Sequence, residues 1–319
     1  MRTRRDESRG VALVSVLLIV VIVTVLAFEI ANRHAFSLAM SRQTLDGSQA
    51  RHYALGGELY ARLLLQEDWL DENTRTKDTF EESWAMPEES FEIDEGSVEM
   101  RIVDLNSRFN LNAVTGSEAA PSMRHFNRLL THLGLDPNVV DAWRDWIDAD
   151  GDVTGAGAED ADYLLDEPPR VTANQPARDV SEFLVPVRLE PEEFALIRPL
   201  VTVLPTSALK INVNTANGAV LGTAAPNFPP AEAELFAGER RDFDRVEDVV
   251  ALHAPLAASI SALSVTSEYF RVQVRVNLRD SRVELTSLLH RDAASGEVTV
   301  LSRNFGTRFE PADDEEESV

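Results

Sequence analysis

Hydrophobic residues follow three regimes along this chain. The first is an unbroken run, "VALVSVLLIVVIVTVLAF" from Val11 to Phe28, with no charge and only Ser15 and Thr24 polar. As a helix it measures about 27 Å, close to the roughly 30 Å of a bilayer core. Beyond it Ala31, Ala35, Leu38, Ala50, Ala54, Leu59 and Leu63 recur at helical spacing, and no proline intervenes before Pro87. The pattern predicts one helix running from the apolar segment to about residue 60. The second regime is alternation. "SVEMRIVD" places Val98, Met100 and Ile102 on one face and Glu99 and Arg101 on the other, which predicts a half-buried strand. "RFNLNAV" follows as a further strand after a turn at Asn106-Ser107. Near the C-terminus "YFRVQVRVNL", "SRVELTSLLHR" and "EVTVLSRNF" predict three more strands, with Ala294-Ser295-Gly296 as the last turn.

Helical periodicity, the third regime, fills the space between the two strand groups. In "PSMRHFNRLLTHLG" Met123, Phe126, Leu130 and Leu133 share a face and Gly134 marks the end. "DPNVVDAWRDWID" opens with Asp136 as N-cap and Pro137 at the first position, and aligns Val140, Trp143 and Ile147. "EPEEFALIRPL" repeats the proline start at Pro191. The helical region also reads as duplicated: the segment from Asp179 aligns loosely with that from Arg245, and "LDPNVVDAWRDWIDAD" parallels "FPPAEAELFAGERRDF". Each half is then two pairs of short helices, in the style of a helix-hairpin-helix or SAM-like unit. The span 137–180 in the first half answers to the shorter span 230–246 in the second, so the first half carries an extra segment. The predicted fold is α+β: a long N-terminal helix on an antiparallel sheet, interrupted by a large all-α insertion.

Composition narrows the chemistry. The net charge of −24 argues against general affinity for nucleic acid, which needs a basic surface. With no cysteine, disulfides, thiolate metal sites and cysteine catalysis are excluded. Six histidines are scattered; His125 and His132 share a predicted helix but lack a third ligand, and no serine sits in a nucleophile elbow. No catalytic residue is expected, and the chain reads as a non-enzyme.

The N-terminus sets the compartment. Arg2, Arg4, Arg5 and Arg9 precede the apolar run, which keeps the N-terminus cytoplasmic and sends the rest across the membrane. The run is too long for a secretory signal, and no small-residue cleavage site follows it. A short basic leader ending at Gly10, with the apolar helix beginning at once at Val11, resembles the leader of type IV pilins and type II secretion pseudopilins. The resemblance implies cleavage by a prepilin peptidase between Gly10 and Val11 and methylation of the new N-terminus. Most such subunits carry Glu at the fifth mature position; here it is Ser15. In a stacked filament that Glu neutralises the amine of the next subunit, so its absence resembles a tip subunit more than a shaft subunit.

Taken in order, the leader, "DLNSRFNLN", "DWIDADGD…GAEDADYL", "VSEFL" and "INVNTA" resemble the K-type minor pseudopilin family of type II secretion over residues 10 to about 305. The resemblance implies a single-pass inner-membrane subunit with periplasmic domains, placed at the pseudopilus tip and bound to I-type and J-type minor pseudopilins. It divides the chain into a leader (1–10), a membrane helix (11–30), pilin-like helix and first strands (31–116), inserted helical domain (117–264), returning strands (265–309) and an acidic tail (310–319). It also implies calcium in the inserted domain. Two rivals share single features: a minor pilin of a type IV pilus, which would usually keep the Glu, and a membrane-anchored helix-hairpin-helix DNA receptor, suggested by "INVNTANGAVLG".

The extra segment of the first half reads "DADGDVTGAGAEDAD". Asp148, Asp150, Asp152 and Glu159 occupy the first, third, fifth and twelfth positions of an EF-hand-like loop, but the sixth is Val153 where that loop needs Gly. EF-hand geometry is therefore not expected. Ca²⁺ accepts six to eight oxygens at loose angles, and a Gly/Ala-rich loop can bend to present them. Asp160 and Asp162 are near enough to join, so one or two structural calcium ions are expected. Zinc fits poorly, since the segment has no His or Cys.

Overall fold

In the computed structural model, residues 4–86 and 89–306 are described, with side chains from Ala12 onward except that of Glu89. The chain opens with helix α1 (Arg4–Leu70). Strands β1 (Glu89–Ile93) and β2 (Gly96–Asp104) follow, and then the chain leaves the sheet. The inserted region runs β3 (Phe109–Asn110), α2 (Ala119–His132), α3 (Val139–Ile147), α4 (Asp160–Tyr163), α5 (Leu184–Val187), α6 (Pro191–Ile197), β4 (Val201–Thr202), β5 (Ile211–Asn212), α7 (Gly218–Ala224), α8 (Pro230–Gly238), α9 (Val246–Leu252) and β6 (Leu263–Ser264). The chain closes with β7 (Tyr269–Leu278), β8 (Ser281–Arg291) and β9 (Val298–Phe305).

The main sheet is antiparallel in the order β1-β2-β7-β8-β9. The strand before the insertion and the strand after it are neighbours, in register from Gly96↔Leu278 to Asp104↔Phe270. The insertion thus leaves and re-enters at one point. Asn106 secures that point: its N–H donates to Asp104 Oδ1 and its Oδ1 accepts from the N–H groups of Glu268 and Tyr269.

Helix α1 extends to Leu70 because nothing stops it earlier. Gly56 and Gly57 do not break it, and Gly57 has a packing reason: a Cβ there would press on the Val274 side chain of β7. The buried seam differs from the apolar stripe read in the sequence. Ala50, Ala54, Glu58, Ala61, Leu65 and Asp68 are buried, whereas Leu38, Leu59 and Leu63 are exposed. The pattern failed because the seam includes two acids, each held by an arginine of the sheet: Glu58 by Arg303, and Asp68 by Arg291. The other sheet-facing residues are apolar as expected, with Val98, Met100 and Ile102 of β2 in the core.

"RFNLNAV" does not join the main sheet. Only Phe109–Asn110 is extended, pairing in parallel with Val201–Thr202, and Leu111–Val114 forms a 3-10 turn. Asparagine chemistry explains this, since Asn side chains compete for local backbone donors. Asn110 Oδ1 accepts from the Asn112 N–H. Asn112 then clamps Ala177 through both N–H and C=O and also reaches the Leu204 carbonyl. The second half repeats this device. Ile211–Asn212 pairs in parallel with Leu263–Ser264, Asn212 Oδ1 accepts from the Asn214 N–H, and Asn214 clamps Phe243 through both N–H and C=O. The internal repeat is therefore built on matched Asn-x-Asn turns, and it begins earlier in the chain than the helix alignment indicated. Residues 148–179, which include α4, separate α3 from the helical turn that begins at Val180, where residues 239–245 suffice between α8 and α9 in the second half.

Candidate functional site

The acidic segment is organised by helix α3. Asp141, Asp145 and Asp148 are spaced four and three residues apart, so they project from one face of that helix and its C-terminal end. The following loop folds back onto them. Asp145 Oδ2 accepts from the Thr154 N–H at 3.0 Å, and Asp141 Oδ2 from the Ala156 N–H at 3.0 Å. This close approach requires the glycines: a Cβ on Gly155, whose φ is +54°, would overlap the Asp141 carboxylate, and one on Gly157 would overlap that of Asp145.

The six acids expected from the sequence fall into different environments. Asp148 caps α3 and lies 3.6 Å from Arg144, with its Oδ1 buried and lacking a hydrogen-bond partner among the described residues. Glu159 is buried at the N-cap of α4, and its Oε1 likewise has no such partner. Asp150 and Asp152 are exposed, Asp150 Oδ1 accepting from the Asp152 N–H. Asp160 is exposed and receives both the N–H and the hydroxyl of Thr172, at 2.8 and 2.7 Å. Asp162 completes the capping box with Glu159. The residue the sequence reading missed is Asp145. It is fully buried, and its Oδ1 is the third carboxylate oxygen here without a partner. The available signal was its position three residues before Asp148 on a helix whose other face is apolar.

Burial raises the affinity of Asp145, Asp148 and Glu159 for a proton, and nearby carboxylates add to it: Asp141 acts on Asp145, Asp150 and Asp145 on Asp148, and Asp145 and Asp148 on Glu159. Asp145, Asp148 and Glu159 each carry an orphaned oxygen beside one flanking arginine, an all-oxygen chemistry of the kind calcium accepts, but among the described residues it is Asp68, Asp78 and Glu82 whose carboxylate oxygens lie within 4.8 Å of one another.

Around this site the inserted domain has its own core, centred on Phe109, Phe126, Trp143 and Phe183. Residues 107–206, which contain the acidic segment, match the family described as Type II secretion system (T2SS), protein K. The chain is 36% identical over 317 residues to Type II secretion system protein K of Pseudomonas aeruginosa, covering 95% of this chain and 94% of that protein. The chain belongs to the type II secretion system protein K family. A second member, from Klebsiella pneumoniae, is 32% identical and covers 94% of this chain and 97% of its own length. A crystal structure titled as the GspK-GspI-GspJ complex from enterotoxigenic Escherichia coli shares the fold, with a TM-score of 0.73 and 24% identity over 84% of this chain and 99% of that chain.

As a protein K, the chain is a minor pseudopilin of type II secretion. Both rivals give way to this family. The DNA-receptor reading also fails on chemistry: Lys210 donates to the Ser261 carbonyl, and Arg241 is buried against the carbonyls of Val213 and Ala216. Arg241 is thereby withdrawn from any phosphate, Lys210 alone is too little for a phosphate grip, and "INVNTA" is one of the two Asn-x-Asn turns that build the repeat. His125 is likewise structural: burial pushes its imidazole down to about 3, and its Nε2 meets the Val220 carbonyl.

Proposed function

We propose that this protein K forms the tip of the pseudopilus, where it starts or caps assembly with the I-type and J-type minor pseudopilins, and that it has no catalytic activity. The observation that carries this is the insertion between β2 and β7. It adds a second domain beside the end of a pilin-like helix and sheet, where a further subunit would otherwise stack. Ser15, in place of the family's usual Glu, fits a subunit with no neighbour above it. The pairing of GspK with GspI and GspJ in the E. coli complex supports the choice of partners.

One described helix, Ala12–Leu70, is long and apolar enough to cross a membrane. With Arg2, Arg4, Arg5 and Arg9 on its N-terminal side, the arrangement is a single inner-membrane pass, cytoplasmic N-terminus and periplasmic domains. Gly10 and Val11 lie within α1 and their side chains are outside the described set; cleavage between them by a prepilin peptidase remains part of the proposal. Asp145, Asp148 and Glu159 would hold calcium, with Asp150 and Asp152 on the same loop able to add oxygens. A bound calcium ion would neutralise carboxylates that otherwise repel one another. Asp160 and Asp162 support the loop through Thr172 and the α4 cap.

Gold labelling of an epitope after Phe305 should decorate one end of overproduced pseudopili. Labels spread along the shaft would refute the tip assignment. In the same strain Gly10→Asp should leave a precursor longer by the leader and reduce export at least tenfold, measured as secreted against cell-retained substrate.

A further inference from the structure

The acidic loop is held at the C-terminal end of α3, where the partial negative charge of the helix end adds to that of Asp145 and Asp148. A cation sits on that same end. Arg144 stands one helical turn before Asp148, the C-cap residue, whose N–H donates to the Arg144 carbonyl at 2.9 Å. This backbone bond sets the two side chains alongside each other, with Arg144 Nε 3.6 Å from Asp148 Oδ2. The separation is within ion-pair reach but too long for a hydrogen bond, so charge holds the guanidinium there and geometry does not lock it. Its side chain is 33% exposed, which leaves it a way out toward solvent.

Other arginines flanking the loop are committed elsewhere. Arg170 and Arg188 both donate to Asp166, at 2.7 and 2.6 Å, and Arg170 also lies over the Tyr163 ring. Asp145 Oδ1, Asp148 Oδ1 and Glu159 Oε1 meanwhile have no hydrogen-bond partner among the described residues, and Asp145 is fully buried. These three carboxylates are not gathered to within 4.8 Å of one another as Asp68, Asp78 and Glu82 are. A cation that bridges them has to draw Asp148 inward, and so away from Arg144.

We propose that Arg144 is a tethered counter-cation of the acidic site: it holds Asp148 until a divalent ion takes that carboxylate, and its charge sets how tightly the ion is bound. This role rests on the proposal that Asp145, Asp148 and Glu159 hold calcium. The exchange favours a doubly charged ion over sodium or potassium. A monovalent ion brings no more charge than the guanidinium it displaces, and the guanidinium, carried on the same helix, acts at a high effective concentration. Once displaced, Arg144 stays close and repels the ion. A double and a single positive charge about 6 Å apart in a water-like dielectric repel by an amount equal to roughly tenfold in affinity. Salt screens part of that repulsion.

The test is a calorimetric calcium titration of the full chain in detergent, after EDTA treatment. Arg144→Gln keeps a polar, helix-forming side chain and removes the charge. It should bind calcium about tenfold more tightly than wild type at low salt, with the gap narrowing at high salt. Arg144→Lys restores the charge and should match wild type to within about threefold. The unfolding midpoints should cross: in EDTA, Arg144→Gln unfolds below wild type because Asp148 has lost its counter-charge, and in saturating calcium it unfolds at or above wild type. A plain ion pair at a helix end would instead lower the midpoint alike in both conditions and leave the affinity unchanged, and that result overturns the proposal. Weaker calcium binding by Arg144→Gln also overturns it, since Arg144 would then help to assemble the site. No calcium binding by either chain removes both the ion and the role of Arg144, whereas equal affinities remove the role of Arg144 alone.

Discussion

Replacing Arg291 by methionine lowers the stability of the full chain by roughly 3–5 kcal/mol, the usual result of stripping one partner from a buried ion pair. Arg291 is 4% exposed and holds Asp68, Asp78 and the Ser267 carbonyl at once. It therefore ties the long helix, the strap that follows it (residues 71–86) and the link that enters β7 to the end of β8. Methionine matches its length and leaves both carboxylates without their cation. Arg291→Lys should recover little, because one ammonium cannot reproduce two divergent guanidinium bonds. The control is Arg279→Ala, which removes exposed pairs with Asp46 and Glu95 and should leave the midpoint unchanged. Thermal denaturation in detergent reads all three. An Arg291→Met chain as stable as wild type would mean the junction contributes nothing to holding the domains together.

The second large effect concerns the acidic loop. Millimolar calcium in place of EDTA raises the unfolding midpoint of the full chain by about 4 °C, since a ligand at a hundredfold over its dissociation constant contributes about 2.7 kcal/mol. Asp145→Asn removes most of that gain although Asp145 lies outside the acidic run, because it is the fully buried member of the three carboxylates with orphaned oxygens. Asp162→Asn, which touches only the α4 cap, keeps the gain. No calcium response in the wild-type chain would remove the ion from the account.

What could be read from the sequence follows from where its signals are local. The last three strands were legible almost to the residue, because a half-exposed antiparallel strand alternates visibly and its partners are adjacent in the chain. Strand β1 was missed. Its residues, Glu89–Ile93, sit on a sheet edge, where acids are tolerated and the alternation is weak. Helix α1 was legible but its buried face was not, since Glu58 and Asp68 are admitted to the seam by arginines more than two hundred residues away. The same limit applied at the site. The run from Asp148 to Asp162 was plain, but a run is a property of composition, whereas burial is a property of a helix face. Asp145 faces the loop through the geometry of α3, while Asp160 and Asp162 are also engaged by Thr172 and the α4 cap. The duplication was visible in the helices and understated, because its most faithful part is the paired Asn-x-Asn turns, too short to stand out before their hydrogen bonds are seen.

The central claim is that this protein K works as part of a tip complex. Its most direct test is co-purification of the full chain, in detergent, with the I-type and J-type minor pseudopilins of the same organism. The expected result is a single species containing all three chains, stable through size-exclusion chromatography. A protein K that elutes alone in the presence of both partners would contradict the claim.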